Sequence, residues 1–286
     1  MTHDSGKSKI VDVFIDIEAH RLTADIIKKH STNRNDIREV ALKGLNLEWC
    51  RDILELGCGF GFFTEALKEK IHPKAIVTGV DIIPDYESLF LEACKKAGVK
   101  GIFTSSGTSV VKDLAEKSVD LVICSYSLYF FPEIIPDISR ILKKNGLLIA
   151  TVHKKGNMGE LVHTAKDILL ENNMLQEDVK LPIETLISRF SSENAFETLS
   201  PWFQDIRTKD YVNRLVFKPE DIYSLVEYFR FKHPLLLSRT EIEIESALNL
   251  LKTRLEELFT QRRDNFIISK DDTVFICSKP LYGRGT

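Results

Sequence analysis

Several things are missing from this sequence, and each absence narrows what the chain can be. Its five cysteines (Cys50, Cys58, Cys94, Cys124, Cys277) are scattered without a C-x-x-C pair. That spacing suits reduced, buried thiols better than zinc or disulfides, and no metal site is expected. No apolar run reaches the roughly 18–20 residues a membrane span needs, and no signal peptide is visible. The expectation is a cytoplasmic protein with no membrane attachment. Basic charge is not in excess, since 39 Lys and Arg face 42 Asp and Glu for a net charge of −3. A strongly basic nucleic-acid surface is therefore not expected. No internal repeat or low-complexity linker occurs. The N-terminal SGKS lacks the preceding glycine of G-x-x-x-x-G-K-S, which removes a phosphate-loop reading.

What is present is an ordinary globular composition, 43% hydrophobic and 28% charged over 286 residues. That length holds one large domain, or one domain with an elaboration. Residues 1–9 are polar and read as disordered. Apolar spacing predicts helices over 11–30 and 35–47, the second capped by Asn35.

The chain is organised around ILELGCGFG at 53–61. A short apolar run, interrupted only by Glu55, meets three alternating glycines, Gly57, Gly59 and Gly61. Phe62, Phe63, Ala66 and Leu67 then recur at helical spacing, so the loop turns a strand directly into a helix. The next strand, IVTGV, ends in Asp81, where a ribose-binding carboxylate sits in nucleotide-binding βαβ units.

Strands follow at 76–81, 101–105, 119–125 and 147–153. Helices are predicted over Glu87–Ala97, closed by Gly98, and over 133–143. VDLVICS (119–125) is continuously apolar, as a strand buried on both faces should be. This βαβαβ alternation specifies a parallel doubly wound α/β sheet with helices on both sides. Its ligands bind beyond the carboxyl ends of the strands. One rim then gathers the glycine loop, Asp81, residues 105–108, Ser125–Tyr129 and His153. Further on, helices are predicted over 157–173 and 182–200. WFQDIRTKDYVNRLVF (202–217) reads as the sixth strand. Helices follow near 219–231 and 240–262, and FIISKDDTVFICSK reads as two strand segments around Asp271-Asp272.

The acid at Glu55, one apolar residue, then G-x-G-x-G, resembles the first motif of class I S-adenosylmethionine-dependent methyltransferases. Asp81 matches their second motif, and VDLVICSYSLYFF, beginning at Asp120, resembles their fourth. The motifs cover roughly residues 50–155. The resemblance implies a Rossmann-like, mostly parallel seven-stranded sheet. Around it stand an N-terminal helical cap (1–47), a core (48–217 and 265–282) and a helical insertion (218–264) covering the substrate side before the last strand. It implies S-adenosylmethionine as cofactor and S-adenosylhomocysteine as product. The residues expected to hold it are Glu55, Gly57, Cys58, Gly59, Gly61, Asp81, Ile82, Ser106, Gly107, Thr108 and Ser125. Glu55 would organise the loop or place the methionine end, the glycines would let the cofactor lie on the backbone, and Asp81 would accept both ribose hydroxyls. The family's usual acid after the third strand is replaced by SSGTS, so Ser106, Gly107, Thr108 or backbone groups must meet the adenine.

Methyl transfer from a sulfonium needs positioning more than bond-making groups, so an absent catalytic triad does not count against an enzyme. Tyr126, Tyr129 and Phe130 are candidates for the acceptor pocket, beside plain packing. His153 is a candidate proton acceptor, beside a structural role. His20 and Arg21 are weighed against the cofactor carboxylate and expected at the surface. Tyr223, Tyr228, Phe229 and Phe231 read as core, or as a roof over an apolar substrate. Ser-Tyr-Ser-Leu replaces the N/D-P-P-Y/F of exocyclic-amine enzymes, which disfavours DNA or glutamine methylation. Phe62 at the third glycine position disfavours a nicotinamide dehydrogenase. The expected partner is a small-molecule acceptor, with the protein a monomer or homodimer. An RNA methyltransferase, or an inactive cofactor-binding regulator, stands as the alternative.

Overall fold

The computed structural model describes residues 12–176, 179–237, 243–262 and 264–282. The SGKS segment, the start of the helix expected from residue 240, and Arg263 fall outside these.

Nine strands are present among the described residues: β1 (Asp52–Leu56), β2 (Ile76–Val80), β3 (Lys100–Thr104), β4 (Val119–Ser125), β5 (Leu142–His153), β6 (Phe203–Tyr211), β7 (Arg214–Phe217), β8 (Phe266–Ser269) and β9 (Asp272–Pro280). Seven form one sheet in the order β3-β2-β1-β4-β5-β9-β6, and β7 and β8 form a separate antiparallel ribbon. β3, β2, β1, β4 and β5 are parallel throughout. β9 enters antiparallel between β5 and β6. The order reverses at β1, whose neighbours are β2 and β4, so a crevice opens beyond the carboxyl ends of β1 and β4.

The chain forms two compact units. Among the described residues, one comprises 35–154, 188–211 and 272–282, and the other 12–34, 155–187 and 212–271. In the first, the seven-stranded sheet is flanked by helices. β4 is buried along its whole length except at Ser125, in keeping with its unbroken apolar sequence. Gly79 in β2 has a packing reason. The fully buried Phe90 ring lies against it, and a Cβ there would stand 2.5 Å from the ring. The helix Glu87–Ala97 ends as read, on Gly98 in the left-handed region, whose N–H donates to Lys95 O at 3.1 Å. At the other end of the sheet, buried Asp120 accepts the N–H groups of Arg51 and Asp52 at 2.8 and 2.9 Å and pairs with Lys143 at 2.9 Å. Asp120 therefore ties strand beginnings together, away from the carboxyl rim.

The second unit has its own core. The helices Ile17–His30, Gly159–Glu171, Ile222–Leu237 and Ile244–Arg262 pack apolar faces that include Leu161, Leu225, Leu251 and Leu255, all fully buried. Asp16 caps the first of these by accepting the Ala19 N–H at 2.9 Å. The cap of the helix Ile37–Leu42 is Asp36, where Asn35 was expected. The carboxylate of Asp36 accepts the amide of Arg38 and leaves Asn35 to give its carbonyl to Tyr211.

Two expectations are corrected. The stretch 202–217 is two strands, because the chain turns at Val212–Asn213 and β7 leaves the sheet for β8. Buried Asn213 fixes that turn. Its N–H donates to Asp271 at 2.8 Å, and its side chain meets Ser31 and the amide of Asn33, each at 3.0 Å. The two segments read around Asp271-Asp272 form as β8 and β9, which belong to different sheets. Finally, 182–200 is broken into the helices Pro182–Arg189 and Ala195–Leu199. Between them Asn194 accepts the Ser191 N–H at 2.7 Å, a local turn that competes with helix. Residues 155–187 and 212–217 cluster with the helices.

Candidate functional site

β1 runs straight into the glycine loop. The N–H groups of Gly57 and Cys58 both donate to Val80 O, at 2.8 and 3.1 Å, which fastens the loop to the end of β2. The three glycines do different work. Gly57 lies at φ +71°, and a Cβ there would meet Ser127 Cβ at 2.6 Å. Ser127 is held in that place by donating from Oγ to Leu56 O at 2.6 Å. Gly61 packs on the helix Glu87–Ala97, where a Cβ would stand 2.5 Å from that of Ala93. At Gly59 a Cβ would have nothing within 4 Å. Thus Gly59 alone turns an open backbone face outward. At Gly57 and Gly61 the missing Cβ allows close approach of protein to protein.

Asp81 sits half-buried immediately after β2. Its Oδ2 accepts the Gly59 N–H at 2.9 Å, and its Oδ1 accepts the Ile83 N–H at 3.1 Å. A carboxylate offers about four acceptor positions, so capacity remains on both oxygens. Burial pushes this carboxyl above the usual range, while the backbone amides of Gly59, Ile83 and Ile82 pull it down. Ile82 next to it is 55% exposed, and Gly107 approaches so closely that a Cβ there would lie 3.3 Å from Ile82 Cγ2. Ile82 and Gly107 therefore make a small apolar wall beside Asp81. The hydroxyl of Ser106 is tied to that of Thr104, and Ser109 donates to Ser106 O at 2.7 Å. Thr108 caps the short helix Ser109–Asp113 without a side-chain bond.

Glu55 is buried, and its carboxyl accepts from the Thr64 hydroxyl in the helical turn Phe62–Glu65. Burial raises its pKa to about 8, against opposing hydrogen bonds from Thr64 and the Phe63 amide. The folded value lies above the ordinary one near 4.3, so the stability it confers is full below that value and is lost as pH rises through about 8. Glu55→Gln cannot ionise. Relative to this variant, wild type is expected to lose on the order of a few kcal/mol of stability between pH 5 and pH 9. Urea unfolding midpoints at the two pH values measure this, and parallel behaviour of the two proteins would contradict it. Cys58 is likewise buried. Its thiol is pushed well above the usual range by burial and by Glu55 and Asp81, which makes it a packing group rather than a nucleophile.

Ser125 closes β4, half-buried. Tyr126, the next residue, has φ +56°, rare for a bulky side chain, and its N–H donates to Thr151 O at 2.9 Å. Its hydroxyl donates to Asp272 Oδ2 at 2.7 Å. His153, which ends β5, bonds through Nδ1 to Asp272 Oδ1 at 2.7 Å. The imidazole stacks on Tyr126 and Tyr129, with ring centres 4.7 and 5.8 Å away. Burial, and then Asp272, push both tyrosine hydroxyls up, so they remain protonated. Asp272 was missed in the sequence. Asp272 was visible only as half of a turn-like Asp-Asp. Nothing in spacing announces that β9 sets it opposite His153, 119 residues earlier.

Other candidates lie elsewhere. His20 packs in the helical unit between Phe14 and Phe231, and burial, then Lys232, lower its pKa to about 4. Arg21 is exposed. Tyr228, Phe229 and Phe231 are core, and Tyr223 is 74% exposed.

A glycine loop at the reversal of strand order, an acid closing the second strand, and an antiparallel seventh strand slipped between the fifth and sixth define the class I, Rossmann-like fold of S-adenosylmethionine-dependent methyltransferases, and this chain has it. Residues 54–150 match the family model of a methyltransferase domain. Among curated proteins, the chain is similar to an uncharacterized methyltransferase of Schizosaccharomyces pombe, 24% identical over 56% of this chain and 56% of that one. A second protein of that yeast, described as methyltransferase-like, is 36% identical over 34% of this chain and 36% of its own length. The demethylmenaquinone methyltransferase of Staphylococcus aureus is 24% identical over 46% of this chain and 58% of that protein. The matched region thus spans about a third to three-fifths of these relatives. Two solved structures share the fold. A putative methyltransferase from Bacillus halodurans has a TM-score of 0.52 at 12% identity, covering 85% of this chain and 99% of that one. The YcgJ protein from Bacillus subtilis has a TM-score of 0.50 at 14% identity, covering 85% and 97%. No helix among the described residues is long and apolar enough to cross a membrane.

Proposed function

We propose that this protein is a cytoplasmic S-adenosylmethionine-dependent methyltransferase that moves a methyl group to a small-molecule acceptor by in-line displacement. The observation that carries this reading is the pairing of Gly59 with Asp81. The one loop glycine with an open face is tied at 2.9 Å to a carboxylate with acceptor positions to spare. That arrangement fits a ribose laid along the loop, with both hydroxyls on one acid, and Ile82 and Gly107 beside it for an apolar ring. When bound, the sulfonium supplies an already activated methyl. The protein's own residues hold the donor, orient the acceptor and exclude water, worth several kcal/mol through proximity alone.

Charge pairing on the last long helix supports a small acceptor over RNA. Lys252 pairs with Glu256 at 3.8 Å, and Arg254 with Glu171 and Glu257, so these cations are already committed to acids. Calorimetric titration of the folded protein with S-adenosylhomocysteine and, separately, NAD tests the reading. Micromolar binding of the first and none of the second is expected. The reverse result would sink it.

A further inference from the structure

The helical unit carries a polar cleft that methyl transfer does not use. It lies where the helix Ile17–His30 ends and where β7 leads, through residues 218–221, into the helix Ile222–Leu237. Its volume is about 400 Å³. The local sequence explains its charge. A helix C-terminus favours cations, and the last turn here is Lys28, Lys29, His30. Beyond it, Ser31 bridges to Leu215, and the Thr32 N–H donates to Arg214 O at 2.9 Å. That pairing lays the chain after the helix along β7, and Arg34 and Lys218 join Lys29 and His30 in one lining.

Most polar groups of this lining are already committed. The Ser31 hydroxyl donates to Ile27 O at 2.7 Å, and that of Thr32 accepts the Arg214 N–H at 3.0 Å. Asp221 accepts the Lys218 N–H at 3.2 Å and stands 3.5 Å from Lys29 Nζ and 3.9 Å from His30 Nδ1. Glu220 meets Lys218 Nζ at 3.8 Å. The two lysine side chains are 65% and 62% exposed, so these long pairs hold them weakly. Arg34 has no acid partner among the described residues. His30 is buried and stacks on Phe217, and its Nδ1 bonds to Val216 O at 3.0 Å. A carbonyl only accepts, so Nδ1 carries the hydrogen and the neutral ring keeps Nε2 as an acceptor. Nε2 is buried with no hydrogen-bond partner, a costly state for a group at the wall of a cleft.

We propose that this cleft binds a small phosphate monoester bearing hydroxyl groups, its phosphate on Arg34, Lys218 and Lys29 and one hydroxyl donating to His30 Nε2. Three cations face two acids in the lining, and the acids are met only by long pairs or by backbone. The surplus is positive and is centred on Arg34. A guanidinium fork matches two oxygens of one phosphate, and the monoester's third is left for a lysine. The unpaired nitrogen asks for a donor, which a phosphate ester of a polyol supplies beside its anion. Val216 is the single apolar residue of the lining, which suits a soluble ligand over the chains of a lipid. Such a site is independent of methyl transfer and of its cofactor.

The test titrates the full chain calorimetrically with glycerol 3-phosphate, inorganic phosphate and glycerol. A parallel assay sediments it with phosphatidylcholine vesicles containing phosphatidic acid. The variants are Arg34→Gln and Lys218→Gln in the cleft and Lys28→Gln outside it, all at exposed positions where the fold tolerates change. Glycerol 3-phosphate is expected to bind at one site with a Kd below about 1 mM, and glycerol not to bind. Arg34→Gln and Lys218→Gln should each weaken binding about 10-fold or more, and Lys28→Gln less than about 2-fold. Inorganic phosphate has no polyol hydroxyl to reach Nε2 and should bind about 10-fold more weakly. Nitrogen-15 NMR should show the His30 Nε2 resonance moving on addition of glycerol 3-phosphate. Absence of saturable binding, full affinity in Arg34→Gln, or an equal loss in Lys28→Gln would overturn the proposal. So would equal affinity for inorganic phosphate, a His30 resonance that does not move, or capture by the vesicles alone.

Discussion

Asp81→Ala is expected to weaken S-adenosylhomocysteine binding by at least about 100-fold while the protein stays folded. Two hydrogen bonds from ribose hydroxyls to an ionised acceptor are each worth about 1.5–3 kcal/mol, so losing both amounts to two or more powers of ten. The variant also frees the Gly59 N–H from its 2.9 Å bond, loosening the one open stretch of the loop. Asp81→Asn keeps an oxygen for that amide but loses the charge, and should fall between wild type and Asp81→Ala. The pH dependence follows from the same site. Burial raises the Asp81 carboxyl, and only the ionised form accepts on both oxygens. Affinity should therefore decline on acidification, beginning above the usual carboxylate range near 3.9. Calorimetry on the three proteins across pH reads all of this. Retention of full affinity in Asp81→Ala would show that the ligand does not rest on this acid.

Substituting the loop glycines separates folding from binding. Gly57→Ala forces a residue with a side chain into φ +71° and drives its methyl to 2.6 Å from Ser127 Cβ. Left-handed backbone costs about 1–2 kcal/mol, and overpacking adds about 1–3. The variant should lose at least about 2 kcal/mol of stability and bind poorly because its loop is displaced. Gly59→Ala carries the conformational cost alone, since its methyl meets nothing within 4 Å. It should lose about 1–2 kcal/mol of stability, less than Gly57→Ala, and also lose binding, because the methyl occupies the face turned toward the ligand. Thermal unfolding and S-adenosylhomocysteine titration on both variants give four numbers. Equal binding by Gly59→Ala and wild type would place the ligand elsewhere.

Much of the core was legible from the chain alone. The apolar run of β4, the alternation of strand and helix from residue 52 to 153, and Gly98 ending its helix are local patterns, set by periodicity and by the one residue that enters left-handed backbone cheaply. The Glu55, Gly57–Gly61 and Asp81 constellation is local in the same sense, lying within a single βαβ unit. Less could be read where partners are remote. Trp202–Phe217 looks like one strand by composition, and only Asn213, bonded to Asp271, Ser31 and Asn33, shows why it becomes two.

The sequence by itself determined the parallel sheet and the glycine loop at its switch point, because each depends on neighbours within a few tens of positions. Tertiary structure decided the rest. It separated Gly59 from Gly57 and Gly61 by what stands opposite each, and it gave the helices a core of their own. It also carried Asp272 across 119 residues to His153. The physical reason is that antiparallel register between strands far apart in the chain leaves no periodic trace in either strand, yet fixes which side chains share a hydrogen bond.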